Sequence, residues 1–183
     1  MVRKSVMAVW VLMAAVGCAS APPLNYYTLD MSRHMAEGQH PEIVVGDIER
    51  ADSVSRDELM FRTHTGEVGR IKGHVWAACP AELVREKLRA EFDAFEMDTP
   101  AFEITGTLGA FEQYGVGPDM EGRVQIQLRV RAWLEEGGGE VLLDQVYEAR
   151  TAPASPRAGD VARALSRSVE AIARELAEDM AEL

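Results

Sequence analysis

Apolar side chains take every second place from Val124 to Leu134, at Val124, Ile126, Leu128, Val130, Ala132 and Leu134, and polar residues fill most of the positions between. A period of two this regular predicts a strand with one face buried. Phe102, Ile104 and Leu108 open a similar but Gly-interrupted run that reaches Tyr114, and Glu140 to Ala149 forms a third. The links between them, Gly115-Val116-Gly117-Pro118 through Gly122 and Gly137-Gly138-Gly139, are turn material, so the three runs predict an antiparallel meander. Nearer the N-terminus, Leu59, Phe61 and Thr63 alternate with Met60, Arg62 and His64, and after Thr65-Gly66 the alternation resumes over residues 68–72, which predicts a hairpin. Tyr26 to Leu29 and Glu42 to Ile48 read as two further strands separated by a polar loop over residues 31–41. Residues 49–57 are charged and polar and carry no structural signal.

The pattern changes period twice. Pro80 suits a first helical turn, Glu82 suits its positive end, and Leu83, Val84, Leu88, Phe92 and Phe95 follow at helical spacing, predicting an amphipathic helix over about residues 80–96. Val161, Leu165, Val169, Ile172, Leu176 and Met180 recur every three or four residues, with Asp160 near the start, predicting a second helix that runs to about residue 181. Its arginines come first (Arg163, Arg167, Arg174) and its acids last (Glu175, Glu178, Asp179, Glu182), against the helix macrodipole, so packing must hold it. Two amphipathic helices on a mostly antiparallel sheet make an α+β fold, expected as a single domain over residues 26–183.

A third apolar run has neither period. Val6 to Val16 is uninterrupted, follows Arg3 and Lys4, and at about 11 residues is far short of the roughly 20 that span a bilayer. This is the layout of a secretory signal. The run ends in Ala15-Val16-Gly17-Cys18, which resembles the lipobox of bacterial lipoproteins, although Ala15 stands where Leu is usual. Residues 1–17 are then a signal peptide, residues 18–25 a lipidated tether stiffened by Pro22 and Pro23, and Cys18 bears diacylglycerol and an N-acyl chain, with no other cofactor expected. Two or three acyl chains make attachment effectively stable. The alternative is a soluble secretory signal cut after Ala19-Ser20-Ala21, which would leave Pro22 directly behind the cut. Ala19 after the lipidated cysteine favours the periplasmic face of the outer membrane.

Charge narrows the partners. Without Arg3 and Lys4, 17 basic side chains face 30 acidic ones, a formal charge of −13. Nucleic acid and anionic bilayer surfaces both repel such a chain. With Cys18 acylated only Cys79 remains, so no intrachain disulfide can form, and Cys79 reads as a small core residue. His34, His40, His64 and His74 lack metal-ligand spacing, Gly115-Val116-Gly117 precedes a loop and not a helix, and no Gly-x-Ser-x-Gly or Ser-x-x-Lys occurs in the mature chain. An enzyme is therefore not expected. Trp76 reads as buried. Trp133 lies on the polar side of its strand's alternation and is the candidate partner-binding residue.

The order of features, a lipobox, Tyr26-Tyr27-Thr28-Leu29, the Leu59-Met60-Phe61-Arg62 strand, Val75-Trp76-Ala77-Ala78-Cys79-Pro80 entering a helix, and Leu108-Gly109-Ala110-Phe111-Glu112, resembles the ABC-type transport auxiliary lipoproteins, the PqiC-like family. The likeness covers nearly the whole mature chain and is spread over many weak motifs. It implies an auxiliary part, at the outer membrane, of an envelope lipid-transport system with an ABC permease and ATPase and an MCE-type protein that bridges the periplasm. Such a role needs a tether and a protein-binding surface, leaves room for a ring-like homo-oligomer, and needs no catalytic residue. A lipoprotein that activates or assembles another envelope protein, such as a cell-wall synthase, has the same composition and is the competing expectation.

Overall fold

A computed structural model describes residues 23–33, 43–55, 57–92, 100–132 and 139–183. Seven strands and two helices follow one another as β1 (Asn25–Tyr27), β2 (Ile43–Arg50), β3 (Glu58–Arg62), β4 (Val68–Trp76), α1 (Pro80–Phe92), β5 (Phe102–Tyr114), β6 (Glu121–Ala132), β7 (Val141–Thr151) and α2 (Ala158–Met180). The strands form one sheet, and the fold is α+β as the two periodicities require.

β5, β6 and β7 make the antiparallel meander, with Phe102 to Tyr114 paired along the length of β6 and Gly122 to Arg131 paired with β7. The hairpin of β3 and β4 also forms, Phe61 opposite Gly69. The remaining pairs are parallel. β2 lies beside the first part of β5, β3 beside its end, and β1 beside β4. Thus β2 and β3 divide one flank of β5 between them while β6 occupies the other, and the strand order runs β1-β4-β3-β5-β6-β7.

Several boundaries differ from the sequence expectation for local reasons. The first strand is Asn25–Tyr27 and stops before Leu29, which turns into the core at 2% exposure. β2 continues through Glu49 and Arg50, where charges were read as structureless, because parallel pairing to Thr107 and Leu108 supplies their backbone partners. β4 runs past residue 72 to Trp76, bending at Gly73, whose φ of 81° belongs to the left-handed region. Phe95, Trp133, Leu134, His34 and His40 lie outside the described residues.

Both helices lie on one face of the sheet. α1 packs on β2, α2 packs on β6 and β7, and the helices touch each other. The core between the layers takes Ile104, Leu108 and Phe111 from β5, Val124, Ile126, Leu128 and Val130 from β6, Leu83, Val84, Leu88 and Phe92 from α1, and all six periodic positions of α2. Each such side chain contributes about 1.5–3 kcal/mol when fully buried. α2 approaches β6 closely at Gly122, where an added Cβ would fall 2.9 Å from the Leu165 amide nitrogen and 3.0 Å from the Ala164 Cβ. Ser168 seals the contact by donating to the Gly122 carbonyl at 2.9 Å.

Packing is helped by polar fastenings that periodicity does not show. Lys87 is fully buried on α1 and its Nζ lies 2.8 Å from Glu91 and 3.2 Å from Glu170 of α2, while it donates to the Ser32 carbonyl at 2.7 Å. Ser166 of α2 accepts from the Asp30 amide at 2.9 Å. The segment after β1 is thereby fixed to both helices. At the far end, the Tyr147 hydroxyl donates to Asp179 at 2.6 Å, which gives one of the acids that oppose the α2 dipole a local partner. Burial, then the Asp179 carboxylate, pushes the Tyr147 phenol up from its ordinary value.

Candidate functional site

Because the helices sit over β2, β5, β6 and β7, the helix-side face of the β1-β4-β3 wing stays open beside the N-terminus of α2. The result is a groove of about 820 Å³. Phe61 of β3, Ile71 of β4 and Gln113 of β5 form its floor. The Phe61 ring lies flat over β4 because position 69 is glycine, where a Cβ would come within 2.5 Å of the ring. Tyr27 and His74 form the outer wall, stacked at 5.6 Å between centroids, with the Tyr27 hydroxyl 2.8 Å from His74 Nδ1. The inner wall is residues 156–160 at the start of α2 together with Arg163, and Val116 and Met120 close the end. Asp160 is tied to Ser155 and to Arg163, and these partners, Ser155 foremost, hold its carboxyl below its ordinary value. The groove is apolar below and charged at the rim, a shape that suits binding better than bond-making.

The opposite face of the sheet has a different character. Arg123 reaches Glu148 at 2.9 Å and Glu112 at 3.3 Å, Arg62 reaches Glu112 at 2.7 Å, and Arg129 reaches Asp144 at 2.8 Å. Glu112 is 3% exposed beneath these guanidinium groups. Arg150 lies over the Tyr114 ring at 4.5 Å. The Arg123 hydrogen bond holds the Glu148 carboxyl below its ordinary range, and Glu148 in turn raises Arg123. Gln127 first, then Arg129, lowers Asp144. The charges on this face are satisfied by one another across the strands, in the manner of cross-strand pairs.

The residues that carry the family resemblance converge at one end of the molecule. Trp76 is 3% exposed and packs on Phe111 at 4.9 Å, Tyr27 meets His74, and Glu112 joins Arg62 to Arg123. Cys79 is half-buried against the core and free. Among the described residues no group of three or more His, Cys, Asp or Glu is placed to hold a metal ion, and no helix is long and apolar enough to cross a membrane. Cys18 and Trp133 lie outside the described residues. Sequence reasoning did not bring Tyr27, His74, Met120 and Arg157 together in one groove. Their meeting depends on the parallel pairing of β1 with β4 and on where α2 begins, and neither leaves a periodic trace.

The fold and this groove define an α+β domain with an apolar concave surface beside its first strand. The chain belongs to the ABC-type transport auxiliary lipoprotein component family, whose model matches residues 27–177. Among solved structures it is similar to a Xanthomonas campestris protein of the DUF330 family, with a TM-score of 0.69 at 14% identity over 83% of this chain and 92% of that one. A second similar structure, described as an uncharacterized protein, gives a TM-score of 0.67 at 10% identity, covering 87% of this chain and 99% of the other. At these identities the likeness concerns the fold. No curated protein matches the sequence.

Proposed function

We propose that the mature chain, held by acylated Cys18 at the periplasmic face of the outer membrane, is a non-catalytic docking subunit of an ABC/MCE-type envelope lipid transport system. The observation that carries this reading is the family match over residues 27–177, which takes in every described element except the start of β1 and the end of α2. The family is described as an auxiliary lipoprotein component of ABC-type transport, and the chain has a lipobox-like Ala15-Val16-Gly17-Cys18 a short tether ahead of the matched domain. An MCE-type protein that bridges the periplasm is the partner such a tethered subunit needs to meet the permease and ATPase. Its contacts include Trp133.

The test is purification of the full-length protein from its own envelope in mild detergent beside a Cys18→Ala form, with mass spectrometry of the N-terminus and of what copurifies. Acylated Cys18 with an MCE-type protein or ABC subunits supports the proposal. An unmodified N-terminus beginning at Pro22 overturns the anchor, and an eluate holding only cell-wall synthases overturns the transport role. Trp133→Ala lowers capture of the partner while the domain stays folded; a variant that unfolds and keeps its partner removes Trp133 from the interface.

A further inference from the structure

The outer edge of the sheet, where β1 lies beside β4 and the tether leaves it, carries exposed apolar side chains on the face opposite the groove. Leu24 is 52% exposed, Tyr26 67% and Val68 45%. Tyr26 pairs with Val75, and its neighbour Tyr27 points into the groove, so Tyr26 points the other way. β1 runs parallel to β4, so the chain upstream of Tyr26 passes beside Gly73 and Lys72, and the Pro23 carbonyl lies 3.9 Å from where a Cβ on Gly73 would stand. Along β4, Ile71 lines the groove, which places Val68, Arg70 and Lys72 on the same outer face as Leu24 and Tyr26.

Chain length fixes what this corner meets. The span from Cys18 to Leu24 is at most about 20 Å when fully extended, whereas a domain of this size has a radius of gyration of about 15 Å. A lipid on Cys18 therefore keeps this corner within about half a domain's width of the bilayer. Charge then selects the orientation. The domain as a whole is acidic and is repelled by anionic headgroups, but this edge presents Arg70 and Lys72. Arg70 is shared with Glu58 at 2.9 Å, Lys72 is exposed, and Glu58 and Glu67 are the acids of the hairpin. Screening confines these effects to about 8 Å at physiological salt, so the edge nearest the lipid decides.

We infer that Leu24 and Tyr26, with Lys72 beside them and Arg70 and Val68 further along the same edge of β4, form a bilayer-contacting corner that seats the domain on phospholipid, with the groove turned to the side facing away from it. Tyrosine beside aliphatic side chains and cations is the composition favoured at a membrane interface. The inference rests on the Cys18 anchor of the preceding section.

The test uses full-length, lipidated protein in phosphatidylethanolamine/phosphatidylglycerol vesicles, with Cys18 acylation checked by mass spectrometry. An environment-sensitive fluorophore is attached at Tyr26→Cys or at Val146→Cys, the latter on the far edge strand and 56% exposed, each with Cys79→Ala. Lipids brominated on their acyl chains are expected to quench the label at position 26 and not at 146. Arg70→Gln with Lys72→Gln is expected to shift the equilibrium between seated and lifted domain by up to about five-fold per cation removed, and so to lower that quenching. With Cys18 acylated, equal quenching at both positions, or none at position 26, overturns the corner and leaves the anchor standing. A label at position 26 that is shielded but unquenched marks a second copy of the chain and also overturns it. Protein without acyl chains on Cys18 overturns the anchor and this inference together.

Discussion

Replacing Lys87 with methionine tests whether the helix layer is held by a buried charge clasp or by apolar packing alone. Lys87 and Glu91 are wholly buried and Glu170 is 13% exposed, and one ammonium stands 2.8 and 3.2 Å from the two carboxylates while donating to Ser32. Lys87→Met keeps the stem and removes the charge. Glu91 then stays buried without the ammonium, and the Ser32 carbonyl loses its donor. Removing one partner of a buried ion pair costs about 3–5 kcal/mol, and the lost hydrogen bond to the Ser32 carbonyl adds about 1 kcal/mol. The sum, about 4–6 kcal/mol, is comparable with the whole stability of many domains. A second variant, Lys87→Met with Glu91→Leu, removes the buried carboxylate as well and is expected to recover about half of the loss, since apolar replacement of a buried pair is often close to neutral. Urea unfolding followed by tryptophan fluorescence reads both, because Trp76 is packed on Phe111 in the core. A Lys87→Met midpoint equivalent to less than about 1 kcal/mol of loss, or a double variant no more stable than the single one, refutes the reasoning.

The other outcomes follow from single contacts. Tyr147→Phe leaves Asp179 without its 2.6 Å donor and is expected to lower stability by about 1–2 kcal/mol in thermal unfolding; in an alkaline absorbance titration of the parent, Tyr147 ionises above the ordinary phenol range. Because its folded value is raised, its contribution is complete below the unfolded value near pH 10 and is lost as pH rises beyond it. Gly122→Ala forces α2 off β6, costing about 1–3 kcal/mol in the same unfolding assay, whereas Gly66→Ala in the β3–β4 turn meets no neighbouring atom and is penalised only for its φ of 88°. Glu148 and Asp144 have depressed folded values, so their stabilisation is present above the unfolded values and fades as pH falls from about 4.5; Glu148→Gln flattens the acid limb of a stability–pH curve.

Elements with their own periodicity or β-rich composition were legible from residue order, β1 and β2 included, but the parallel pairing of distant strands was not. The meander announced itself because Val124, Ile126, Leu128 and Val130 all face one layer, and each of them is at most 1% exposed. The six periodic positions of α2 are buried for the same reason. By contrast, nothing in Glu49-Arg50 signals a strand, since its cause is the neighbouring edge of β5. Lys87 looks like any surface lysine in an amphipathic helix. Only the arrival of Glu170 from α2 and Ser32 from the N-terminal segment makes its burial tolerable. The groove was invisible for a similar reason: it exists where the helix layer ends and the sheet continues.

This also explains why the resemblance was spread over many short pieces and had no single signature. A catalytic site concentrates its requirements on a few atoms, whereas the docking role proposed above distributes them over whatever fixes the surfaces. Phe111 must fill the space behind Trp76, Glu112 must hold two arginines flat on the outer face, and Tyr27 must lean on His74 to wall the groove. Each of these contacts is a packing or pairing requirement that another combination of residues could meet. What cannot be exchanged so freely is their placement relative to the tether. Asp30 and Ser32 are fastened to both helices only a few residues beyond β1, so the segment that follows the first strand moves with the core.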